Sequence, residues 1–415
     1  MKRTTLAGLA APALLLSLVA SGCSAVESPV AAVSSGVEDV DVPEVFTPVL
    51  VTTVGVETAP VQGRDGSWRV LYELVLTNAK PAPARIDRLD VVDADDTDAV
   101  VASFEGEDLV GLFHRLSGGP RATTSLAPDE TAMVFVELTF DDLDDAPDAV
   151  AHRIVGEGAA NPAATDPSAV DYVTAGFPLR ERSQVVMGPP LRGDGWLAVN
   201  GLDTTAGVHR GAVQSIGGRL YDAQRFAIDW MRLDEDGMLA TGDSGQVESW
   251  NSYDEPVLAV ADAEVVQVLD ELPDQAPGTL PDPSDITLET VDGNHVILEL
   301  AEGVYAFYAH LKEGSITLEE GDSVSAGDEI GRLGNSGNTS APHLHLHVMT
   351  ADSALAADSI PYTFDGFTHT GRISDRAWNL TDGLEGPWTV ETDGAGEEHT
   401  EQVPLGLDVV EFPED

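Results

Sequence analysis

Cysteine is almost missing from this chain: among 415 residues Cys23 stands alone, which excludes an intramolecular disulfide and any cysteine-rich metal site. Lysine is nearly as scarce, with only Lys2, Lys80 and Lys312, and 21 basic residues face 72 acidic ones. The resulting formal charge of −51 repels phosphate backbones, so a nucleic acid is excluded as a partner. Because the acid excess is spread along the chain and not gathered in a tail, it reads as a solvated acidic surface. Apolar side chains are not scarce. A hydrophobic content of 42% excludes a disordered chain, which lacks the residues needed to offset the entropy of folding. The length leaves room for two or three domains of ~100–200 residues, each with a sizeable core.

The position of Cys23 gives it a reading. Lys2 and Arg3 form a short positive region, Leu6 to Ala20 is apolar and uncharged, and Ala20-Ser21-Gly22 supplies small residues directly before the cysteine. The apolar run is too short to span ~30 Å of hydrocarbon comfortably, which favours an export signal over a permanent transmembrane helix. The segment resembles a bacterial lipoprotein signal with its lipobox. That resemblance implies a signal peptide over residues 1–22, cleavage before Cys23 and lipid on Cys23 as a membrane anchor. It also implies a mature protein on the outer face of the cytoplasmic membrane, facing the cell wall.

Residues 23–45 are small, polar or acidic, as expected of a flexible tether. Alternation then begins: Trp68, Val70, Tyr72, Leu74 and Leu76 make one face apolar while Arg69, Glu73 and Thr77 break the other, the pattern of a half-buried strand. Ile86 to Val92 and Thr131 to Phe140 repeat it, and helical periods are rare. An all-β fold follows, with an immunoglobulin-like β-sandwich expected over residues 46–180. Asp93-Ala94-Asp95-Asp96-Thr97-Asp98 lacks the glycine and glutamate of a calcium loop and reads as a solvated turn. Pro178, Gly188, Pro189, Pro190, Gly193 and Gly195 mark a boundary, and a second domain is expected over 181–365. Strands are expected at Phe226 to Leu233, Val257 to Leu269, Asp285 to Thr290, His295 to Leu300, Val304 to His310 and His343 to Met349. The proline-rich stretch from Asp270 to Asp285 is expected as a loop beside a groove. Residues 366–415 read as an acidic extension, with a closing strand at Leu405 to Phe412.

Seven of the ten histidines fall between His209 and His369, and His343, His345 and His347 alternate. On a strand they share one face, roughly 7 Å apart from one to the next, which is metal-site geometry for neutral imidazoles. His114, His152, His369 and His399 have no ligand spacing and read as surface or packing residues; His295 receives no role.

Several segments occur in a telling order: Ala227-Ile228-Asp229, Pro256-Val257-Leu258-Ala259-Val260, Tyr308-Ala309-His310-Leu311, Gly321-Asp322-Ser323-Val324, Gly327-Asp328-Glu329-Ile330-Gly331, Gly334-Asn335-Ser336-Gly337-Asn338-Thr339 and His343-Leu344-His345. Over residues 209 to 350 the chain resembles the lysostaphin-type (LytM-like) zinc endopeptidases that cut peptide cross-links of peptidoglycan. The resemblance implies an antiparallel β-sheet peptidase domain. It further implies zinc held by Asp229 and His345, with His343 and His310 flanking the attacking water as activator and transition-state stabiliser. His347 stands where the family often has glutamate, as a spare ligand or as the partner that orients one.

The sequence departs from the family at one ligand. The other zinc-binding histidine belongs four residues before Asp229, where Arg225 stands, and a guanidinium cannot bind a cation. Either the site is dead or another residue completes it. If Gly217-Gly218 turns a hairpin, His209 falls opposite Arg225 or Phe226 and is the best replacement. Two functions are therefore carried forward: a lipid-anchored zinc endopeptidase acting on peptidoglycan peptides, and an inactive LytM-like module that controls other wall hydrolases.

Overall fold

The alternation that starts at Trp68 forms an eleven-residue strand, Trp68–Asn78, whose Val70, Tyr72, Leu74 and Leu76 enter a core between two sheets. The structure is a computed structural model that describes residues 40, 42–55, 58–179, 185–202, 208–380 and 384–414. Cys23 and the apolar run Leu6 to Ala20 lie outside the described residues. One five-stranded sheet runs Val49–Val54, Trp68–Asn78, Thr131–Phe140, Phe113–His114, with Val61–Gln62 alongside. The other runs Ser168–Pro178, Ala149–Gly158, Ala84–Asp93, Val100–Glu105, with Ser125–Leu126 alongside. Leu89, Val91 and Ile154 of the second sheet meet the apolar face of the first.

The opposite face of Trp68–Asn78 departs from the half-buried expectation. Leu71 joins the core of the following domain, and Glu73 is fully buried. A period-two pattern marks which residues alternate; it does not say whether solvent or another domain covers the polar side.

Past Gly193 the chain builds an eleven-stranded sheet in which each neighbouring pair is antiparallel. Its middle reads Asn294–Ala301, Val304–Leu311, Leu344–Met349, Ile228–Arg232, Gly193–Val199, Asp408–Phe412, Phe367–Ile373. Trp196, Trp230, Tyr308 and Phe412 fill the core behind it. The closing strand expected at Leu405 to Phe412 forms as Asp408–Phe412, but it lies inside the sheet and not in an extension: it pairs with Gly193–Val199 on one side and Phe367–Ile373 on the other. Its apolar residues Val409, Val410 and Phe412 are buried, which outweighs the acidic composition around them.

Two further expectations change. Asp285 to Thr290 folds as turns, because Thr287 and Thr290 bond each other through hydroxyl and amide in place of a ladder. Val257 to Leu269 splits into Pro256–Leu258 and Ala263–Leu269, which join different sheets. Gly217 and Gly218 do turn a hairpin, with φ of 58° and 83°, as a two-residue loop requires. It pairs only Gln214–Ile216 with Arg219–Tyr221, so His209 lies before the ladder, in a turn.

Candidate metal centre and active site

Strand register assembles the centre. Asp229 lies directly opposite His345, and His345 lies opposite Ala309 on its other side. Cross-strand partners project to the same face, so the carboxylate and the ring meet, with His345 Nδ1 3.0 Å from Asp229 Oδ1. His209 arrives from its turn: its Nδ1–H is shared between the carbonyls of Asn200 and Ala227, at 3.1 Å each, which presents Nε2 to Asp229 Oδ2 at 3.1 Å. One ligand atom from each of His209, Asp229 and His345 falls within 4.8 Å of the others, and all three residues are buried.

Outer contacts hold these groups in orientation. Asn200 Nδ2 donates to Asp229 Oδ2 at 2.8 Å. His345 Nε2 and His347 Nδ1 are 2.9 Å apart, so His347 steadies the ring of His345 and is not one of the three converging groups. Such contacts fix the tautomer of a metal-binding imidazole.

His310 reaches the same space through a backbone irregularity. Regular alternation after Ala309 would turn its side chain to the far face. A bulge opposes Ala309 and His310 to His295, and His310 takes φ of 61°, which rotates the ring back beside His343 at 4.7 Å between centroids. Its Nδ1–H donates to the Ser336 carbonyl at 2.8 Å. His343 Nδ1–H donates to the Ala341 carbonyl at 2.8 Å, leaving Nε2 3.3 Å from Asp229 Oδ1. Residues in the left-handed region cost of order 1–3 kcal/mol, so a histidine held there is a candidate for function.

Burial acts against charge on every group here, and the neighbours decide the outcome. It raises Asp229, but His209 and His343 outweigh it and hold the carboxyl well below its ordinary range. Burial lowers His209 and His343, yet the Asp229 charge carries both above their ordinary value. His345 is pushed down to about 4 by burial, and His310 and His347 fall well below the usual imidazole range for the same first reason, with nearby imidazoles adding to it.

Arg225 takes no part in the centre. Its guanidinium enters the first domain, 2.6 Å from Glu73 Oε2 and 3.1 Å from the Val54 carbonyl. Arg210, next to His209, binds the other side of Glu73 at 3.2 Å and donates to the Val136 carbonyl. The residue standing in the family's ligand position is therefore a domain clamp.

The centre opens into a groove of about 420 Å³, and the proline-rich loop lies beside it, contributing Leu280 to the wall. Asn200, Ser336 and Asp292 also belong to this region and carried no role in the sequence. Asn200-Gly201 reads only as a turn, and no local pattern discloses its reach to Asp229 on the neighbouring strand. His295, His152, His369 and His399 are packing residues, and His114 is half-buried.

Residues 247–357 match the family model described as Peptidase family M23. Among solved structures, the catalytic domain of the antimicrobial peptidase lysostaphin from Staphylococcus simulans is 20% identical over 35% of this chain and 80% of that one, with a TM-score of 0.21. The catalytic domain of the prophage-encoded M23 protein EnpA from Enterococcus faecalis is 19% identical over 39% and 86%, with a TM-score of 0.24. A zinc-containing peptidase from Vibrio cholerae is 13% identical over 73% and 86%, with a TM-score of 0.25. The matched stretch holds His310, His343 and His345, while His209 and Asp229 precede it, and the chain thus carries a Peptidase family M23 (LytM-like) domain at residues 247–357.

Proposed function

We propose that this protein is an exported, lipid-anchored zinc endopeptidase that hydrolyses the peptide cross-links of peptidoglycan. The observation that carries the reading is the convergence of His209, Asp229 and His345 within 4.8 Å, with the rings of His310 and His343 beside them at the floor of a groove. Two imidazole nitrogens and one carboxylate oxygen suit zinc with a fourth position left for water. A zinc ion held there would supply a Lewis acid that polarises the scissile carbonyl and makes water a stronger nucleophile. His343, with Nδ1–H committed to Ala341 and its affinity for a proton raised by Asp229, can take the proton of the attacking water at Nε2 and return it to a leaving amine. His310 stays neutral, held by its Nδ1–H on the Ser336 carbonyl, and its ring flanks the reacting groups without taking that proton. No serine or cysteine nucleophile is needed.

Arg225 in the family's ligand position favours the other reading, an inactive module that controls wall hydrolases. Full-length protein, loaded with zinc, dialysed and incubated with purified peptidoglycan, separates the two. Retained zinc with release of free amino groups supports the peptidase. An intact fold that retains no zinc and releases none replaces it with the regulatory module. The anchor is tested separately: Cys23→Ala should move the protein from the membrane fraction to the medium, and unchanged detergent-dependent association would sink that assignment.

A further inference from the structure

Asp292 lies in the wall of the groove and is not used by the centre. Its backbone carbonyl accepts the amide of His310 at 3.1 Å, which fixes it against the residue that the bulge re-aims. The residue is only 7% exposed, and its carboxyl has neither a hydrogen-bond donor nor a cation among the described residues. Burial alone pushes this acid up to about 7. Its oxygens keep contact with the solvent of the groove, so an entering ligand can reach them, and the burial around them strengthens a charge-assisted hydrogen bond made there.

The surroundings narrow the ligand. Neither lysine nor arginine lines the groove, and Asp229 is its only other carboxylate. Val208 and Leu280, 70% and 62% exposed, stand in the same wall together with Leu355. Large apolar side chains left in water in a groove that also holds one buried carboxyl suit an aliphatic stem that ends in a positive charge. A carboxylate-bearing group would be repelled at this point.

We propose that Asp292 forms a subsite for a primary ammonium group of the peptide substrate, seated by Val208 and Leu280. The inference rests on the peptidase reading and deepens it by naming a substrate class. The ammonium can come from an amino side chain or from a peptide's free N-terminus; both offer three N–H donors to one carboxylate.

The test uses zinc-loaded full-length protein and four synthetic peptides of one backbone: lysine with a free N-terminus, lysine with an acetylated N-terminus, acetyl-lysine with a free N-terminus, and both positions acetylated. Hydrolysis should favour one free amine over the doubly acetylated peptide by about tenfold or more in kcat/KM, and the two singly acetylated peptides identify which amine is read. In Asp292→Asn that ratio should collapse toward one, and in Asp292→Ser likewise, with zinc content and melting temperature measured to establish a folded, loaded protein. Equal rates on all four peptides in the wild type, or a preference that survives both substitutions, overturns the proposal. If wild-type protein hydrolyses neither these peptides nor purified peptidoglycan, the peptidase reading fails. The same four peptides are then titrated calorimetrically, where tighter binding of a free amine that is lost in Asp292→Asn sustains the subsite and equal binding removes it.

Discussion

Glu73 and Arg225 meet at 2.6 Å with neither side chain in contact with solvent, a carboxylate from the first domain and a guanidinium from the second. Arg210 completes the arrangement from the residue beside His209. Burial raises Glu73, but the two guanidiniums outweigh it and keep the carboxyl ionised below its ordinary value. The nearby Asp222 carboxyl is raised, first by burial and then by the charge of Glu73.

Glu73→Gln should therefore be severe, because it removes the carboxylate that both guanidiniums share and leaves Arg225 only Asp222 at 3.7 Å and Arg210 only Glu137 at 3.5 Å. Removing one partner of a buried pair costs about 3–5 kcal/mol. Urea denaturation should give a loss of that order, and a loss below about 1 kcal/mol would mean that Asp222, freed of the Glu73 charge, ionises and takes over Arg225.

Zinc affinity should respond differently to two sets of substitutions. His209→Ala, Asp229→Ala and His345→Ala each remove one of three converging groups and should weaken binding by more than about a hundredfold, while Asn200→Ala, which removes an orienting contact, should cost about 10–100-fold. His310→Ala and His343→Ala should retain the metal and lose peptide hydrolysis. Chelator competition on each variant reads the first quantity. Arg225→His should add little affinity if His209 already fills the third position, and a large gain would show that it does not.

His152 sets a pH dependence remote from the groove. It is fully buried in the first domain, bonded to Tyr72 Oη at 2.9 Å and to the Ala175 carbonyl at 2.8 Å, and burial pushes its pKa down to about 4. The unfolded chain takes this proton near 6.5, so stability from this group is complete above that pH and declines as pH falls toward 4, by about 3 kcal/mol in all. The imidazole should show no titration by NMR between pH 8 and 5; a midpoint near 6.5 contradicts the assignment.

With 72 acidic residues against 21 basic ones, self-repulsion should weaken as salt shortens the Debye length from ~30 Å at 0.01 M to ~8 Å at 0.15 M. The melting temperature should rise over that range. A flat or falling profile would mean that local pairs such as Arg153 with Asp171 outweigh the net charge.

Much of the centre was legible because its residues obey strand arithmetic. Asp229 and His345 sit on strands whose type shows in their apolar runs, and the family resemblance supplied the pairing between them. His209 was reachable only as a replacement for the ligand missing at Arg225, and the hairpin argument was longer than the hairpin. Glu73 was not legible, since a charged residue on the polar side of an alternating strand looks the same whether water or a second domain covers it. The position of Asp408–Phe412 in mid-sheet was hidden by the acids around it, because composition averages over residues while burial selects Val409, Val410 and Phe412 singly.

That position governs when the molecule can be finished. Trp196 pairs with Val410 and Leu197 with Val409, partners that lie at opposite ends of the second domain's sequence. Contacts of such separation must wait on chain closure and make folding slow. The sheet keeps a gap between Gly193–Val199 and Phe367–Ile373 until Asp408–Phe412 is in place, so a chain cut before that strand has no completed core to hold it, and removing the strand would open the sheet at its middle.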